Sequence, residues 1–304
     1  MVILGPTASG KTQLACALAA KLNGEIISAD SRQVYRNMDI GTGKDLSEYQ
    51  IGDKKIPYHL IDIKDPGYKY NIAEFQLDFL KAFSEITSRN NLPILCGGSG
   101  LYLETALRGN SFLGIPPDES FYKKVKQWSI DELDAALNAI PINIKEKLGA
   151  QTEERKVRML EIANFLAKNP DWKPVDTPNF NETIIGINVE RELRRTRITK
   201  RLKDRLENGM IEEVQNLIAQ KISSDVLESY GLEYKYVTYY LQNKISKAEL
   251  FEQLNIAIHQ FAKRQMTWFR RMETRGFKIN WIDSEMGLED KVSVVKERFF
   301  KRTE

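Results

Sequence analysis

Eight consecutive residues near the start of the chain, Gly5-Pro6-Thr7-Ala8-Ser9-Gly10-Lys11-Thr12, satisfy every fixed position of the pattern GxxxxGK[ST]. Such a stretch holds phosphates. A loop that wraps an anion with backbone N–H groups needs glycine where φ is unusual or where a β-carbon would block the oxygens; Gly5 and Gly10 stand at those places. Lys11 adds a point charge, and the Thr12 hydroxyl is placed to join a magnesium shell. The helix that follows aims its positive end at the same anion. Thr7 either serves the shape of the loop or donates its hydroxyl to a phosphate oxygen. The motif leaves open which phosphates are bound and what is done to them.

Asp30 is the second candidate. It lies in Ala29-Asp30-Ser31-Arg32-Gln33, directly after the apolar run Glu25-Ile26-Ile27-Ser28. A polar turn at the C-terminal end of a strand is where open α/β sheets collect ligands, so Asp30 should share a crevice with the phosphate loop. It either caps a turn or holds a magnesium-bound water, or it acts as general base on an acceptor nucleophile; each role needs a carboxylate near the phosphates. Gly97-Gly98-Ser99-Gly100 ends another apolar run, Pro93 to Cys96, and reads either as a ligand-facing turn or as a tight turn alone. His59 and His259 lack partner acids or cysteines in sequence and read as structural. Cys16 and Cys96 fall in an apolar helix and an apolar strand, which predicts buried, reduced thiols and no zinc site.

The elements that must position these groups alternate along the chain. Met1 to Leu4 reads as a strand, Gln13 to Leu22 as a helix, Glu25 to Ser28 as a strand, and Val34 to Lys44 as an ordered loop with a short helical turn. Tyr58 to Asp62 is another short strand. Ile72, Phe75, Phe79, Phe83 and Ile86 recur near the helical period, and a further helix starts at Leu101 after the glycine turn. This alternation predicts an α/β fold, a P-loop NTPase-like parallel sheet flanked by helices. Pro116-Pro117 marks a boundary, beyond which Phe121 to Trp128, Ile130 to Leu137 and Glu153 to Ala167 read as helices. A Pro/Asp/Asn-rich connector, residues 169–181, returns the chain to strand character at Thr183 to Ile187. The expected organisation is a core of residues 1–112 and 182–304 with a helical insertion at 113–181. The first strand is abrupt, and residues upstream of Met1 are expected.

The 304 residues are 42% hydrophobic and 29% charged with a net charge of +3, too small a surplus to argue for nucleic acid by itself. No apolar run is long enough to span a bilayer, and there is no signal-peptide pattern, so a cytoplasmic enzyme is the expectation. Charge is concentrated locally. Residues 191–205 hold eight basic residues against two acids, with Arg194, Arg197, Arg201 and Arg205 on one helical stripe and Ile198, Leu202 and Leu206 on the next. That face is either solvated or meets an anionic partner. Lys247 to Arg271 reads as a long helix with Phe251, Leu254, Ile258, Phe261, Gln265 and Trp268 near one side. Trp268 and Phe269, beside Lys263, Arg264 and Arg270, read either as base-stacking residues or as core aromatics. Phe277 to Ile282 is a last strand, and Leu288 to Phe300 a terminal helix.

Several stretches together resemble the tRNA dimethylallyltransferase (tRNA isopentenyltransferase, IPP transferase) family. They are GPTASGKT at Gly5 to Thr12, Asp30-Ser31-x-Gln33, YRNMDIGT at Tyr35 to Thr42, His59 to Asp62, Gly97 to Tyr102, and AKRQMTW at Ala262 to Trp268. The order holds along nearly the whole chain. The resemblance implies transfer of a dimethylallyl group from dimethylallyl diphosphate to the exocyclic amine of the adenosine 3′ of a tRNA anticodon, by a cytoplasmic, monomeric enzyme using Mg2+. Under it, Gly5, Pro6, Thr7, Ala8, Ser9, Gly10, Lys11 and Thr12 hold the diphosphate, with the metal at Thr12. Asp30 becomes the base, with Thr7 and Arg197 as further catalytic groups. Asp30, Ser31, Arg32 and Gln33 line a pocket for the flipped base. Ser99, Arg201, Lys235, and Glu154, Arg155, Lys156, Val157 and Arg158 of the insertion are implied tRNA contacts. The chain departs from the pattern at Ser99, where threonine is usual, and at Tyr230-Gly231-Leu232-Glu233-Tyr234-Lys235, where a Gly-Tyr-Arg segment is expected. The related alternatives are an adenylate isopentenyltransferase and, from other classes, an ATP-dependent small-molecule kinase or a non-catalytic RNA-binding protein. The kinase predicts a lid with paired arginines, and none is identifiable.

Overall fold

A computed structural model describes residues 1–109, 112–142, 144–145 and 152–303. Two compact units form: Met1–Arg108 with Pro178–Glu304, and Gly109–Thr177. The second crossing falls before Phe180 because its ring packs 5.9 Å from Phe79 and 4.9 Å from Phe83, within the first unit. Asn110 and Ser111, next to the expected first crossing, lie outside the described residues.

The first unit is built on a sheet of β1 (Val2–Leu4), β2 (Gly24–Ser28), β5 (Tyr58–His59), β6 (Leu92–Gly97), β7 (Ile184–Asn188) and β8 (Ile279–Asp283). The order is β5-β2-β6-β1-β7-β8, and all pairs are parallel. A small antiparallel pair, β3 (Gln50–Ile51) and β4 (Lys54–Lys55), stands apart. Both faces are covered, as the continuous apolar runs require. Val2 and Leu4 point to one core and Ile3 to the other, the period of two that a strand imposes. The expected fold class and the returning strand after the insertion are both present. The strand expected over Tyr58 to Asp62 is cut to two residues, because Leu60 (φ 62°) and Asp62 (φ 56°) turn out of extended geometry. No helix forms within residues 34–44, where turns and an isolated bridge from Tyr35 to Lys64 occur instead.

Helices α1 (Lys11–Leu22), α2 (Ile72–Ser88) and α3 (Gly100–Arg108) follow β1, β5 and β6. The middle of α1, Leu14 to Ala19, is buried, as suits a helix apolar on nearly every side. α2 opens on a capping box of Asn71 and Glu74 and buries Phe75, Phe79, Ala82 and Ile86 at helical spacing. The C-terminal helices are α7 (Arg191–Glu207), α8 (Met210–Ala219), α9 (Ser224–Ser229), α10 (Leu232–Leu241), α11 (Lys247–Thr274) and α12 (Leu288–Thr303). The 28-residue α11 starts on a capping box of Ser246 and Glu249. Its buried stripe runs through Leu254, Ile258, Ala262, Gln265, Phe269 and Met272, so one glutamine lies in an apolar seam.

The second unit carries α4 (Glu119–Val125), α5 (Ile130–Ala139) and α6 (Glu153–Lys168) around a core of Val125, Ile140, Val157, Leu160 and Ile162. Among the described residues no helix is long and apolar enough to cross a membrane.

Candidate active site

The turns that follow β1, β2 and β6 leave the same edge of the sheet, with β6 between the other two. That topology brings the phosphate loop, Asp30 and Gly98-Ser99 together around a cavity of about 290 Å³. Residues 7–12, Asp30, Ser31, Arg32, Gln33, Ser99 and Arg201 all line it.

The loop is preformed. Ala8 (φ 62°) and Gly10 (φ 80°) both take the left-handed conformation, which turns successive N–H groups toward one point. Ser9 Oγ is buried with no hydrogen-bond partner among the described residues and packs against Gly5, where a β-carbon would lie 2.6 Å from it. The loop is also held from outside. Gln265 accepts the Thr7 N–H at 2.9 Å and donates to the Gly98 carbonyl at 3.0 Å. A β-carbon at residue 98 would lie 2.4 Å from Gln265 Nε2 and 3.2 Å from the Gly5 carbonyl, so it would displace the Gln265 amide.

Arg201 Nη2 donates to Thr7 Oγ1, so the basic stripe of α7 reaches the loop. Arg205, one turn on, also lines the cavity and pairs with Asp45 at 3.0 Å. Arg197 does not line it; one turn earlier on the same helix, it stands within electrostatic reach of Lys291. Arg197, which the family resemblance implied as a catalytic group, is not among the cavity-lining residues, and the stripe's contact with the loop is made by Arg201. Burial, with Arg205 adding repulsion, pushes the Arg201 guanidinium down to about 10, still charged at neutral pH. Burial, with Arg201 adding, likewise holds the Lys11 ammonium below the lysine range. Both shifts mark cations gathered where an anion belongs.

Asp30 Oδ1 accepts the Arg32 N–H at 2.8 Å, which fixes the carboxylate and leaves Oδ2 for a ligand. Gln33 ties the cavity wall: Ser28 Oγ donates to its Oε1 at 2.8 Å, and its Nε2 donates to the Gly43 carbonyl at 3.1 Å. The loop of residues 39–44 is pinned twice more. Glu213 accepts the N–H groups of Asp39, Ile40 and Gly41 at 2.7, 2.7 and 2.9 Å. Lys44, fully buried, donates to the Tyr35 carbonyl and Asp39, each at 2.6 Å, and to Asp62.

Other expected contacts fall elsewhere. Lys235 is outside the cavity lining, with Nζ 5.6 Å from the Tyr239 ring centre. In the second unit Glu154 and Arg155 are exposed and Lys156 is half-buried. Val157 is instead 1% exposed within that unit's core, so its side chain is closed to a ligand. Arg158 donates to Glu161 at 2.9 Å and to the carbonyls of Pro116 and Ile115, an internal brace. Trp268 takes the core reading, donating to Glu104 at 2.8 Å. His59 meets Glu25 at 2.7 Å, and both cysteines are free and buried, as expected. The cavity also takes Thr42, Glu233, Phe261 and Gln265, to which sequence alone gave no part in the site, and Arg205, which it placed only on the basic stripe. Besides Arg205, Gln265 carried a signal, as the polar residue of an apolar stripe.

Fold and site together define a P-loop α/β enzyme in which the phosphate loop after β1 shares a cavity with a carboxylate from the end of β2. A family model described as IPP transferase matches residues 33–272, and one described as Isopentenyl transferase matches residues 1–60. The chain belongs to the IPP transferase family. It is 51% identical over 298 residues to tRNA dimethylallyltransferase 2 of Bacteroides fragilis, covering 98% of this chain and 97% of the relative. Its fold is similar to the crystal structure of full-length tRNA isopentenylpyrophosphate transferase from Bacillus halodurans, with TM-score 0.71, 31% identity, and 99% and 95% of the two chains covered. The crystal structure of tRNA delta(2)-isopentenylpyrophosphate transferase from Staphylococcus epidermidis gives TM-score 0.69 at 30% identity over 99% and 98%.

Proposed function

We propose that the chain transfers the dimethylallyl group of dimethylallyl diphosphate to the exocyclic amine of the adenosine 3′-adjacent to the anticodon in tRNA. The observation that carries the reading is the pairing, on the same sheet edge, of a preformed anion cradle lined by Lys11 and Arg201 with an Asp30 carboxylate whose Oδ2 has no partner among the described residues. The carbon–oxygen bond of the donor breaks and the diphosphate leaves with its electron pair. The amine nitrogen bonds to the prenyl carbon, and its proton passes to Asp30. The loop amides, Lys11, Arg201 and Thr7 hold the growing charge on the leaving group. The Thr12 hydroxyl, with the Glu48 carboxylate lining the same cavity, would offer hard oxygen donors of the kind Mg2+ takes. Thr12 would hold the ion, whose charge would stabilise the departing diphosphate. Exposed Glu154 and Arg155 and half-buried Lys156 are the insertion's remaining candidates for the anticodon stem-loop. The enzyme acts as a monomer in the cytoplasm under this reading.

Incubation with labelled dimethylallyl diphosphate, Mg2+ and either unmodified tRNA or AMP tests it. Label in tRNA alone is expected; label in AMP, or ATP turnover with no labelled tRNA, overturns it. Asp30→Asn should cut transfer by about 10²- to 10⁴-fold while donor binding stays within a few-fold.

A further inference from the structure

Two segments that line the cavity lie outside the turns after β1, β2 and β6: Gly41 to Gly43, and Tyr230 to Glu233. The first belongs to a stretch of turns with no helix or sheet pairing, so side chains must hold it. One carboxylate grips both segments. Glu213, in the first turn of α8, accepts the N–H groups of Asp39 and Ile40 on Oε2, both at 2.7 Å, and that of Gly41 on Oε1 at 2.9 Å. The same Oε1 accepts the hydroxyl of Tyr234, the third residue of α10, at 2.6 Å. Three successive amides and a phenol thus occupy both oxygens of one side chain. The Tyr234 ring also lies flush on the loop, since a β-carbon at residue 41 would stand 2.7 Å from it. Glu213 itself does not line the cavity.

We infer that Glu213 is a positioning residue for the transfer reaction, holding these two walls in register with the Asp30 turn. The inference rests on the tRNA-prenylating activity proposed above. The path to that turn is short. Gly43, two residues beyond the clamped amides, gives its carbonyl to Gln33 Nε2 at 3.1 Å, and Gln33 Oε1 accepts from Ser28 Oγ at 2.8 Å. Gln33 lines the cavity three residues after Asp30, so its amide keeps its orientation only while the loop keeps its place. Lys44 cannot replace the clamp, because its three N–H groups go to Tyr35, Asp39 and Asp62 and none to α8 or α10. The phosphate loop is tied by other side chains, Gln265 and Arg201. Loss of the clamp should therefore slow transfer without releasing the donor.

The test compares wild type with Glu213→Ala, which removes the clamp, Tyr234→Phe, which removes one oxygen and keeps the ring on Gly41, and the double variant. Single-turnover transfer to an anticodon stem-loop is measured at saturating dimethylallyl diphosphate and RNA, donor dissociation by calorimetry, and folding by thermal melting. Glu213→Ala should transfer about 10- to 100-fold more slowly and Tyr234→Phe about 3- to 10-fold, the scale of hydrogen bonds lost from a charged acceptor. The donor Kd should stay within about twofold in both, the split expected of a residue that acts on the step and not on donor binding. In the double variant Tyr234→Phe should add less than about twofold, because its partner is already gone. Tyr234→Phe carries the test should Glu213→Ala not fold. A donor Kd that rises in step with the loss of rate overturns the inference, making the clamp a general brace of the fold. Additive effects of the two changes overturn it as well, since the two groups would then act apart. A wild type that labels the stem-loop beside equally active variants overturns the role of Glu213 alone, whereas a wild type that labels no stem-loop overturns the activity beneath it.

Discussion

Gln265 accepts the Thr7 backbone N–H at 2.9 Å across 258 residues of sequence, and the same side chain donates to the Gly98 carbonyl. One amide thus sets the distance between the phosphate loop after β1 and the glycine turn after β6. Gln265→Ala leaves a partly buried N–H and a buried carbonyl unpaired, which costs about 1–3 kcal/mol. We expect a lower melting temperature and a donor KM raised about tenfold. Gln265→Glu still accepts from Thr7, but its second oxygen then faces the Gly98 carbonyl and the donor's charge. Donor affinity should fall further than in the alanine variant. Equal donor KM in wild type and both variants would falsify this role.

Gly98 is coupled to the same amide. In Gly98→Ala the new methyl would lie 2.4 Å from Gln265 Nε2, so the Gln265 side chain must withdraw and release Thr7. Once Gln265 is alanine, much of that conflict is gone. The two substitutions should therefore be non-additive in a thermal-stability cycle, with a coupling of about 1 kcal/mol or more. Additive effects would mean that the tight contact with the Gly5 carbonyl, at 3.2 Å, dominates instead.

The basic stripe divides by position along α7. Arg201 contacts Thr7, and Arg197 lies outside the cavity lining. Arg201→Ala should raise the dissociation constant for dimethylallyl diphosphate by about 10- to 100-fold, the scale of a lost charge-assisted hydrogen bond. Arg197→Ala should leave it within about twofold. Calorimetric titration of donor into each variant gives the comparison, and the reverse ranking would place Arg197, not Arg201, at the donor.

These relationships show what was legible beforehand and what was not. Gly5 to Thr12 is contiguous, so its geometry is encoded by local glycines and the following helix, and the strand end at Asp30 is marked by the change from Ile26-Ile27 to charged residues. Arg201 and Arg197 have the same residue type and lie on the same stripe. Which of them reaches Thr7 depends on where α7 crosses the sheet edge, a tertiary fact with no local signature. Val157 fails for a related reason: it sits among charged neighbours in sequence, yet its helical phase turns it into the insertion's core.

Acid stability rests on a different carboxylate, remote in function from the cavity. Glu25 on β2 receives hydrogen bonds from Arg89 at 2.8 Å, Asn91 at 2.7 Å and His59 at 2.7 Å, tying the edge strand β5 and the end of α2 to the sheet. Burial disfavours its charged form, but those hydrogen bonds outweigh burial and lower its pKa from 4.5 to about 2. A group whose pKa is depressed on folding stabilises the fold above its unfolded pKa and loses that contribution as pH falls through the folded value. The window is therefore pH 4.5 down to about 2. The contribution at neutral pH is on the order of 1–3 kcal/mol by linkage. Glu25→Gln should be less stable than wild type at pH 7, with the gap closing steadily across that window in denaturant titrations. Curves that stay parallel down to pH 2 would show that the Arg89, Asn91 and His59 contacts serve packing alone, with no dependence on the charge of Glu25.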